Sequence, residues 1–532
     1  MPRRFLFLAA AALALVSCSR ETQVERANRE GILILGNSGE PKSLDPQLVT
    51  GVIESKIINS LMEGLVADDP ENDDGLPPGA AASWEHNDDL TEWTFHLRPE
   101  GRWSDGVPLT ASDYVFSFHR MLHPDLIAPY VEMLYFIENA EAFNKGEISD
   151  FSKVGVWADD DLTLRFKLRE PVPFLPSLTR HYTWFAVPRH VILQHGKMTD
   201  RFTDWSEPPN MVGNGPFRLK SWKFHDSIEV EKNPHYWGAD QVALNGIRFL
   251  PIENPYTEAR AFFSGQLHSS YTLPPDLIDS VRKKSPKYLR QEPYVGTVFV
   301  RLNTTRKGLD DPRVRRALGL AIDRAALTEY VLEGYFPATS LTPKMGQYEP
   351  DPVLRFDPEE ARRLLAEAGY PDGKGFPRFS VLISRPAARA STEALQAMWR
   401  EHLNIIVDIQ NKDWGSYISA QQSLDFDIAS AGWIGDYLDP TTFLNLWTQG
   451  NGNNNTGWSN PEFENLLDQA AHESDAAQRL EILRKAESVV MAEQPILPVA
   501  YYSRNYLLRP EVKGWHPLLL DNHPFKTLRL DP

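Results

Sequence analysis

Leu162-Thr-Leu-Arg-Phe-Lys-Leu168 alternates apolar and polar residues without a break, directly after the turn Asp159-Asp160-Asp161. Alternation with period two puts one set of side chains on a buried face and the other in water. The stretch therefore predicts a half-buried strand. Trp93-Thr-Phe-His-Leu97 and Ile228-Glu-Val230 read the same way. In the second half of the chain the period lengthens. Asp311-Pro312 supplies an N-cap and a first-turn proline for a helix over Arg313 to Asp323. Asp357-Pro358 opens Glu359 to Ala368, and Gly369 closes it. Asp475 opens a long amphipathic helix carrying Leu480, Leu483, Ala486 and Val490, which Pro495 ends. Strands and helices in one chain predict layered α/β architecture. The Gly/Asn-rich run from Asn451 to Asn455 reads as a loop, and no internal repeat is present.

The chain has 532 residues, enough for two to four domains with large cores. Its apolar fraction of 42% is too high for a disordered chain. Fifty-five basic against seventy-two acidic residues leave a net charge of −17, which argues against a nucleic-acid partner. The single cysteine, Cys18, excludes an internal disulfide and a thiolate zinc cluster.

Arg3-Arg4, the apolar run Phe5 to Val16 and the small residues Ser17-Cys18-Ser19 have the layout of a secretory signal. The apolar run is short of the ~20 residues that span a bilayer. Leu15-Val16-Ser17-Cys18 resembles a bacterial lipobox, which implies cleavage before Cys18 and lipidation of its thiol. Paired acyl chains on one residue anchor stably, whereas one chain holds marginally. Residues 1–18 are thus expected to be a lipoprotein signal ending in the lipidated cysteine. Residues 19–30 are polar and are expected to be a tether. No later segment is long and apolar enough to span a membrane, so the remainder is expected outside the cytoplasm, in the periplasm or cell envelope.

Motifs for catalysis are missing. There is no His-Glu-x-x-His, no Gly-x-Ser-x-Gly and no phosphate-cradling glycine loop, since Pro216 follows Asn214-Gly215. Asp69 to Ala80 resembles a calcium loop but lacks the sixth-position glycine and the twelfth-position glutamate. His181, His190 and His195 have no metal-ligand spacing. No metal, no cofactor and no enzymatic activity are expected. A secreted hydrolase would need a nucleophile or metal motif of this kind.

Several segments, in order, carry a resemblance: Glu40-Pro-Lys-Ser-Leu-Asp-Pro46, Leu61-Met-Glu-Gly-Leu65, Trp93-Thr-Phe-His-Leu-Arg98, Trp103-Ser-Asp-Gly-Val-Pro-Leu-Thr-Ala-Ser-Asp-Tyr-Val-Phe-Ser117, Gly213-Asn-Gly-Pro-Phe217, Asn233-Pro-His-Tyr-Trp237, Asp311-Pro-Arg-Val-Arg315, Leu364-Leu-Ala-Glu-Ala-Gly-Tyr370, and Ala431-Gly-Trp433 with Asp436-Tyr437. The chain resembles the family-5 extracellular solute-binding proteins, the oligopeptide- and dipeptide-binding components of ABC importers. The resemblance implies an α/β, two-lobed periplasmic-binding-protein clamshell (type II, cluster C) with an extra inserted domain. Residues 31–62, 189–290 and 504–532 would form lobe I, residues 63–188 the inserted small domain, and residues 291–503 lobe II. It implies capture of short peptides between the lobes and delivery to a membrane permease, by a monomer. Members with this fold also bind murein peptides, nickel chelates, haem or oligosaccharides, and fold alone does not choose among them.

An enclosed peptide needs an opposite charge at each end, strand-like main-chain partners and room for side chains. By resemblance, Asp436 receives the α-ammonium, and Gly432 and Ile434 pair with the ligand main chain. Trp433, Trp414 and Tyr130 would wall the pocket; Val52 and Tyr502 would neighbour the ligand. Thr50 stands where enterobacterial members carry an acid, which disfavours a positive first side chain. Gln421 and Ser430 stand where those members carry arginines. Arg389 is the candidate carboxylate anchor in their place, with Arg385 and Arg306 behind it.

Overall fold

The computed structural model describes residues 21–384 and 387–531. Cys18 and Arg385 lie outside the described residues. The part of the expected tether that lies within them is not an open linker. Gln23–Glu30 forms a helix, α1, because Thr22 and Glu25 close a reciprocal capping box and Gly31 ends the helix at φ 68°. Its buried Val24 and Ala27 hold it against the body of the protein, and the Val24 amide donates to the Gly265 carbonyl.

Three sheets carry the architecture. In the first, β1 (Ile32–Gly36) lies parallel to β8 (Gly246–Leu250), which continues antiparallel into β7 (Ser227–Lys232) and β6 (Phe217–Lys223). In the second, β2 (Ala81–His86), β3 (Glu92–Leu97), β5 (Thr163–Lys167) and β4 (Val156–Ala158) are all antiparallel. The third has the order β10 (Phe336–Pro337), β14 (Ile496–Leu507), β9 (Leu289–Leu302), β13 (Ile428–Ile434), β11 (Phe379–Ile383) and β12 (Val407–Asn411). The alternating stretch around Leu162 is therefore a sheet strand with Leu164 and Phe166 buried.

Each sheet has its own core. Edge-to-face aromatic contacts join Phe95, Phe166 and Phe118 beneath the second sheet, with Trp184 5.5 Å from Phe118. The first sheet buries Ile228, Val230, Ile247 and Phe249. The third buries Val300, Leu302, Val381 and Ile428 against the helices α3 (Pro312–Leu320) and α4 (Pro358–Glu367). The remaining helices used below are α5 (Ala387–Leu403), α6 (Trp414–Gln422) and α7 (Ala476–Glu493). Asp311, Asp357 and Asp475 cap α3, α4 and α7, as their Asp-Pro and Asp-first patterns predict. The expected helix from Arg313 to Asp323 ends at Leu320 instead, and Asp323 caps a new helix over Arg324–Tyr330.

Two strands cross from one core to another. β9 and β14 pair over their whole length, from Leu289 with Leu507 to Arg301 with Ile496. One end packs with Leu289, Leu507 and Ile34, the other with Val300, Leu497 and Val499. Register shifts between Pro498 and Ala500 and between Tyr501 and Ser503 break the ladder at mid-length. Bulges weaken pairing and re-aim strands, which suits a joint between two rigid bodies.

The first segment is fastened to the second sheet's domain by a buried ion pair. Arg120 is fully buried and donates to Asp45 at 2.7 and 3.2 Å, to Gln47 at 2.6 Å and to the Met198 carbonyl at 2.7 Å. Replacing Arg120 by Met strands the Asp45 carboxylate in the interior. The variant should lose about 3–5 kcal/mol, seen as a lower midpoint of the first unfolding transition in urea; an unchanged midpoint would contradict this role.

Candidate ligand-binding site

The site grows from the end of β13. This strand pairs with β9 throughout, from Ile428 opposite Leu302 to Ile434 opposite Gly296. On its other side, β11 pairs with it only at Ile428 and Ala429. Among the described residues, the edge from Ser430 to Ile434 is open. The Gly435 amide donates to Val295 on β9. Main-chain groups alternate along a strand, so Ala431 and Trp433 also face β9, while Ser430, Gly432 and Ile434 face the open edge. The Ser430 carbonyl fits this parity: on that outer side it accepts from the Tyr417 hydroxyl at 2.6 Å. Gly432 and Ile434 are exposed. A side chain at Gly432 would meet the Tyr502 hydroxyl at 2.6 Å, so this position has to be glycine for Tyr502 to lie where it does.

Asp436 follows the strand. Its amide donates to the Thr442 hydroxyl at 3.1 Å, and among the described residues its carboxylate has no hydrogen bond and no cation. Turn capping falls to Asp439, which accepts from the Thr441 amide and pairs with Arg479 at 2.6 and 2.9 Å. Burial, and then the charge of Glu132, push the Asp436 carboxyl up to about 6. The loop is pinned by Tyr437, which is buried in the core of the second sheet's domain and stacks on Phe174 at 5.1 Å and 2°. Asp436 thereby meets residues 49–182 across the chain. Burial, and then Asp436, push the Tyr130 phenol up to about 12. Tyr182 is raised by burial, by Tyr130 and by Asp436, and its hydroxyl donates to Val49 at 3.4 Å. His181 lies edge-on to Tyr130 at 6.0 Å, and burial lowers it to about 4, so it brings no positive charge at neutral pH.

The other expected residues distribute unevenly. Thr50 is exposed beside Val49. Val52 is exposed at the start of the helix α2 (Val52–Leu61) and borders a separate cavity of about 60 Å³ with Lys56, Asp68 and Arg180. Tyr502 borders a cavity of about 920 Å³ with Tyr294, Phe336 and Leu519, which does not include Asp436. Trp414 is exposed at the start of α6 and stacks on Tyr417 at 5.5 Å. Trp433 packs its ring on Phe299, Leu341 and Phe443, so much of it is core, and its indole N–H is buried without an acceptor. Arg389 is exposed on α5 and pairs with Glu393 at 2.9 Å. Arg306 lies by Asp427 and the Phe426 carbonyl. Gln421 is buried and accepts from Arg301 at 2.7 Å. Tyr182, Glu132 and Arg301 were not selected from sequence. Arg301 left a signal: it is the one charge inside the apolar strand run Val298-Phe-Val-Arg-Leu302.

A sequence profile described as "Bacterial extracellular solute-binding proteins, family 5 Middle" matches residues 75–455. The chain belongs to the family-5 extracellular solute-binding proteins. It is 33% identical to the periplasmic oligopeptide-binding protein OppA of Salmonella typhimurium, over 96% of each chain. The family's two-lobed periplasmic-binding-protein fold is present throughout. The chain matches the unliganded open form of the periplasmic murein tripeptide-binding protein MppA with a TM-score of 0.83 at 31% identity, covering 94% of this chain and 97% of the other. Haemophilus influenzae OppA in complex with RPPGFSPFR matches with a TM-score of 0.74 at 33% identity, covering 94% and 99%.

An acid whose carboxyl is raised to about 6 binds its proton more tightly folded than unfolded. Ligand-free stability then falls as pH rises from about 4 through about 6, and stays lower by about 1–3 kcal/mol above that. Asp436→Asn should therefore melt at a higher temperature than wild type at pH 7.5 and at the same temperature near pH 4. Calorimetric scans of ligand-free protein check this; a variant melting lower at pH 7.5 would contradict it.

Proposed function

We propose that this protein is the substrate-binding component of an ABC importer, enclosing short peptides and handing them to the membrane permease. The observation that carries this reading is the unpaired Asp436 carboxylate at the end of an open strand edge. A peptide offers an ammonium and, directly after it, main-chain donors and acceptors in extended form. The ammonium supplies the missing cation, and the Gly432 and Ile434 main chains take up the following residues by strand addition. Tyr130 and Trp414 offer flat aromatic contact that tolerates varied side chains. Thr50 leaves the first side chain without an acid to attract a positive charge.

Residues 31–62, 189–290 and 504–532 serve as lobe I, 63–188 as the inserted domain and 291–503 as lobe II, with the bulged middle of β9 and β14 as the hinge. Closure about it brings Thr50, Val52 and Tyr130 to the ligand on β13. Cys18 serves as a lipid anchor to the envelope, and the protein works as a monomer outside the cytoplasm. No helix among the described residues is long and apolar enough to cross a membrane. The function is binding without a catalytic step. A murein peptide is the alternative cargo with the same free amine, and mass spectrometry of ligand released from purified protein separates the two.

Titration calorimetry at pH 7.5 tests the assignment. Asp436→Asn should bind tri- and tetrapeptides at least tenfold more weakly, and N-acetylated peptides should bind wild type at least tenfold more weakly than their free-amine parents. Equal affinities in both comparisons would overturn the reading.

A further inference from the structure

Six arginines are buried among the described residues: Arg120, Arg180, Arg301, Arg315, Arg324 and Arg479. The other five hold a carboxylate or make three hydrogen bonds each, although Arg180, Arg324 and Arg479 each leave one buried nitrogen without an acceptor. Arg120 and Arg479 hold carboxylates, and Arg180 has Asp68 at 3.6 Å with three hydrogen bonds besides. Arg315 and Arg324 each donate to three main-chain carbonyls. Arg301 makes a single hydrogen bond, to the neutral amide of Gln421. No acid faces it: burial lowers its guanidinium to about 10, and the only other group acting on it is the Tyr417 phenol. Its Nε is buried without an acceptor.

The orphans around it share one polarity. The guanidinium lies 5.7 Å from the Phe299 ring and 5.9 Å from the Trp447 ring. The Trp447 indole N–H is buried without an acceptor, and so is that of Trp433, which packs in the same core. Two neighbouring donors lacking acceptors, the Arg301 Nε and the Trp447 indole N–H, describe a site for an acceptor. A buried guanidinium with no counter-ion costs several kcal/mol, and a ligand anion would recover that cost. Arg301 also stands in the right place. It lies on β9 directly opposite Ala429, where β11 leaves β13 and the open edge begins, while Asp436 lies at the far end of that edge.

We propose that Arg301, positioned by Gln421, receives a carboxylate of the bound peptide. The two unpaired opposite charges, Asp436 and Arg301, then bracket one strand edge and select an extended ligand with an ammonium at one end and a carboxylate further along. The carboxylate is the C-terminus or an acidic side chain; one chemistry serves both. This rests on the peptide-binding reading above. It assigns the anion to a residue of β9, not to Arg389, which is already paired on the surface of α5.

The test is calorimetry with tri-, tetra- and penta-alanine, their C-terminal amides, and the amides carrying one glutamate. Wild type should bind a free-carboxylate or glutamate peptide of favoured length at least tenfold more tightly than the plain amide. Preference for the free C-terminus or for the glutamate identifies the source. Arg301→Met should bring that ratio close to one, leave affinity for the plain amide unchanged, and not lower the ligand-free melting temperature, since it removes an uncompensated buried charge. Gln421→Glu gives the guanidinium an internal partner and should also abolish the preference in a protein that keeps its guanidinium. A wild type indifferent to amidation and glutamate overturns the proposal and leaves peptide binding standing. So does an Arg301→Met protein that weakens all peptides equally while melting lower, which is the signature of a structural arginine. Failure of every peptide to bind wild type overturns both readings.

Discussion

A charge or a main-chain amide taken out of water has to find a partner, and the cost of failing that condition organises this molecule. Several buried carboxylates meet it internally. Glu63 accepts from Tyr236, Trp237 and Lys526 at 2.6 to 2.7 Å. Asp521 has Arg504 at 3.0 Å and His523 at 3.1 Å. Glu487 holds Ser340, Thr342 and Tyr348. Along β13, among the described residues, Asp436 has no cation, Arg301 no anion, and the Gly432 and Ile434 main chains no strand on their outer side. On the proposed reading, an open strand edge with a charge at each end is complementary to a zwitterionic peptide strand.

The long pair of β9 and β14 makes that omission tolerable. Its ends are packed into different cores, and its bulged middle is the hinge in the proposed closure. Burial, and then the charge of Glu132, raise the Asp436 carboxyl to about 6. In the proposed function, closure excludes water and strengthens each ligand contact at once, so ligand and closure would stabilise one another.

Much of the architecture was legible in the sequence because it rests on local rules. Alternation at Leu162 to Leu168, Asp-Pro starts at 311 and 357, and the Asp475 cap all gave elements at their observed places. The helix expected to reach Asp323 stops at Leu320, because Asp323 is worth more as the cap of the next helix. The polar stretch before Glu30 concealed α1, whose two small buried contacts, Val24 and Ala27, are too few to mark a periodic face. At the site, Asp436 is selected through its motif, and among the described residues its carboxylate has no hydrogen bond. The open edge was not legible, since which strand pairs stop early is a tertiary fact. Trp433, expected as a pocket wall, is partly buried and packs against two core clusters, which its motif did not reveal. Arg301 was visible as a lone charge in an apolar strand, but its lack of a partner emerges only once β13, α6 and Trp447 surround it.

On this account the ligand ammonium pairs with Asp436 and holds its carboxyl ionised. Proton linkage reads this directly. Titration of a tripeptide into the protein at pH 6, in two buffers of different ionisation enthalpy, measures protons released on binding. Asp436 titrates near that pH in the free protein, so pairing should release about half a proton per peptide, and Asp436→Asn should release about none. No proton release from wild type, or the same release from both proteins, would contradict the account.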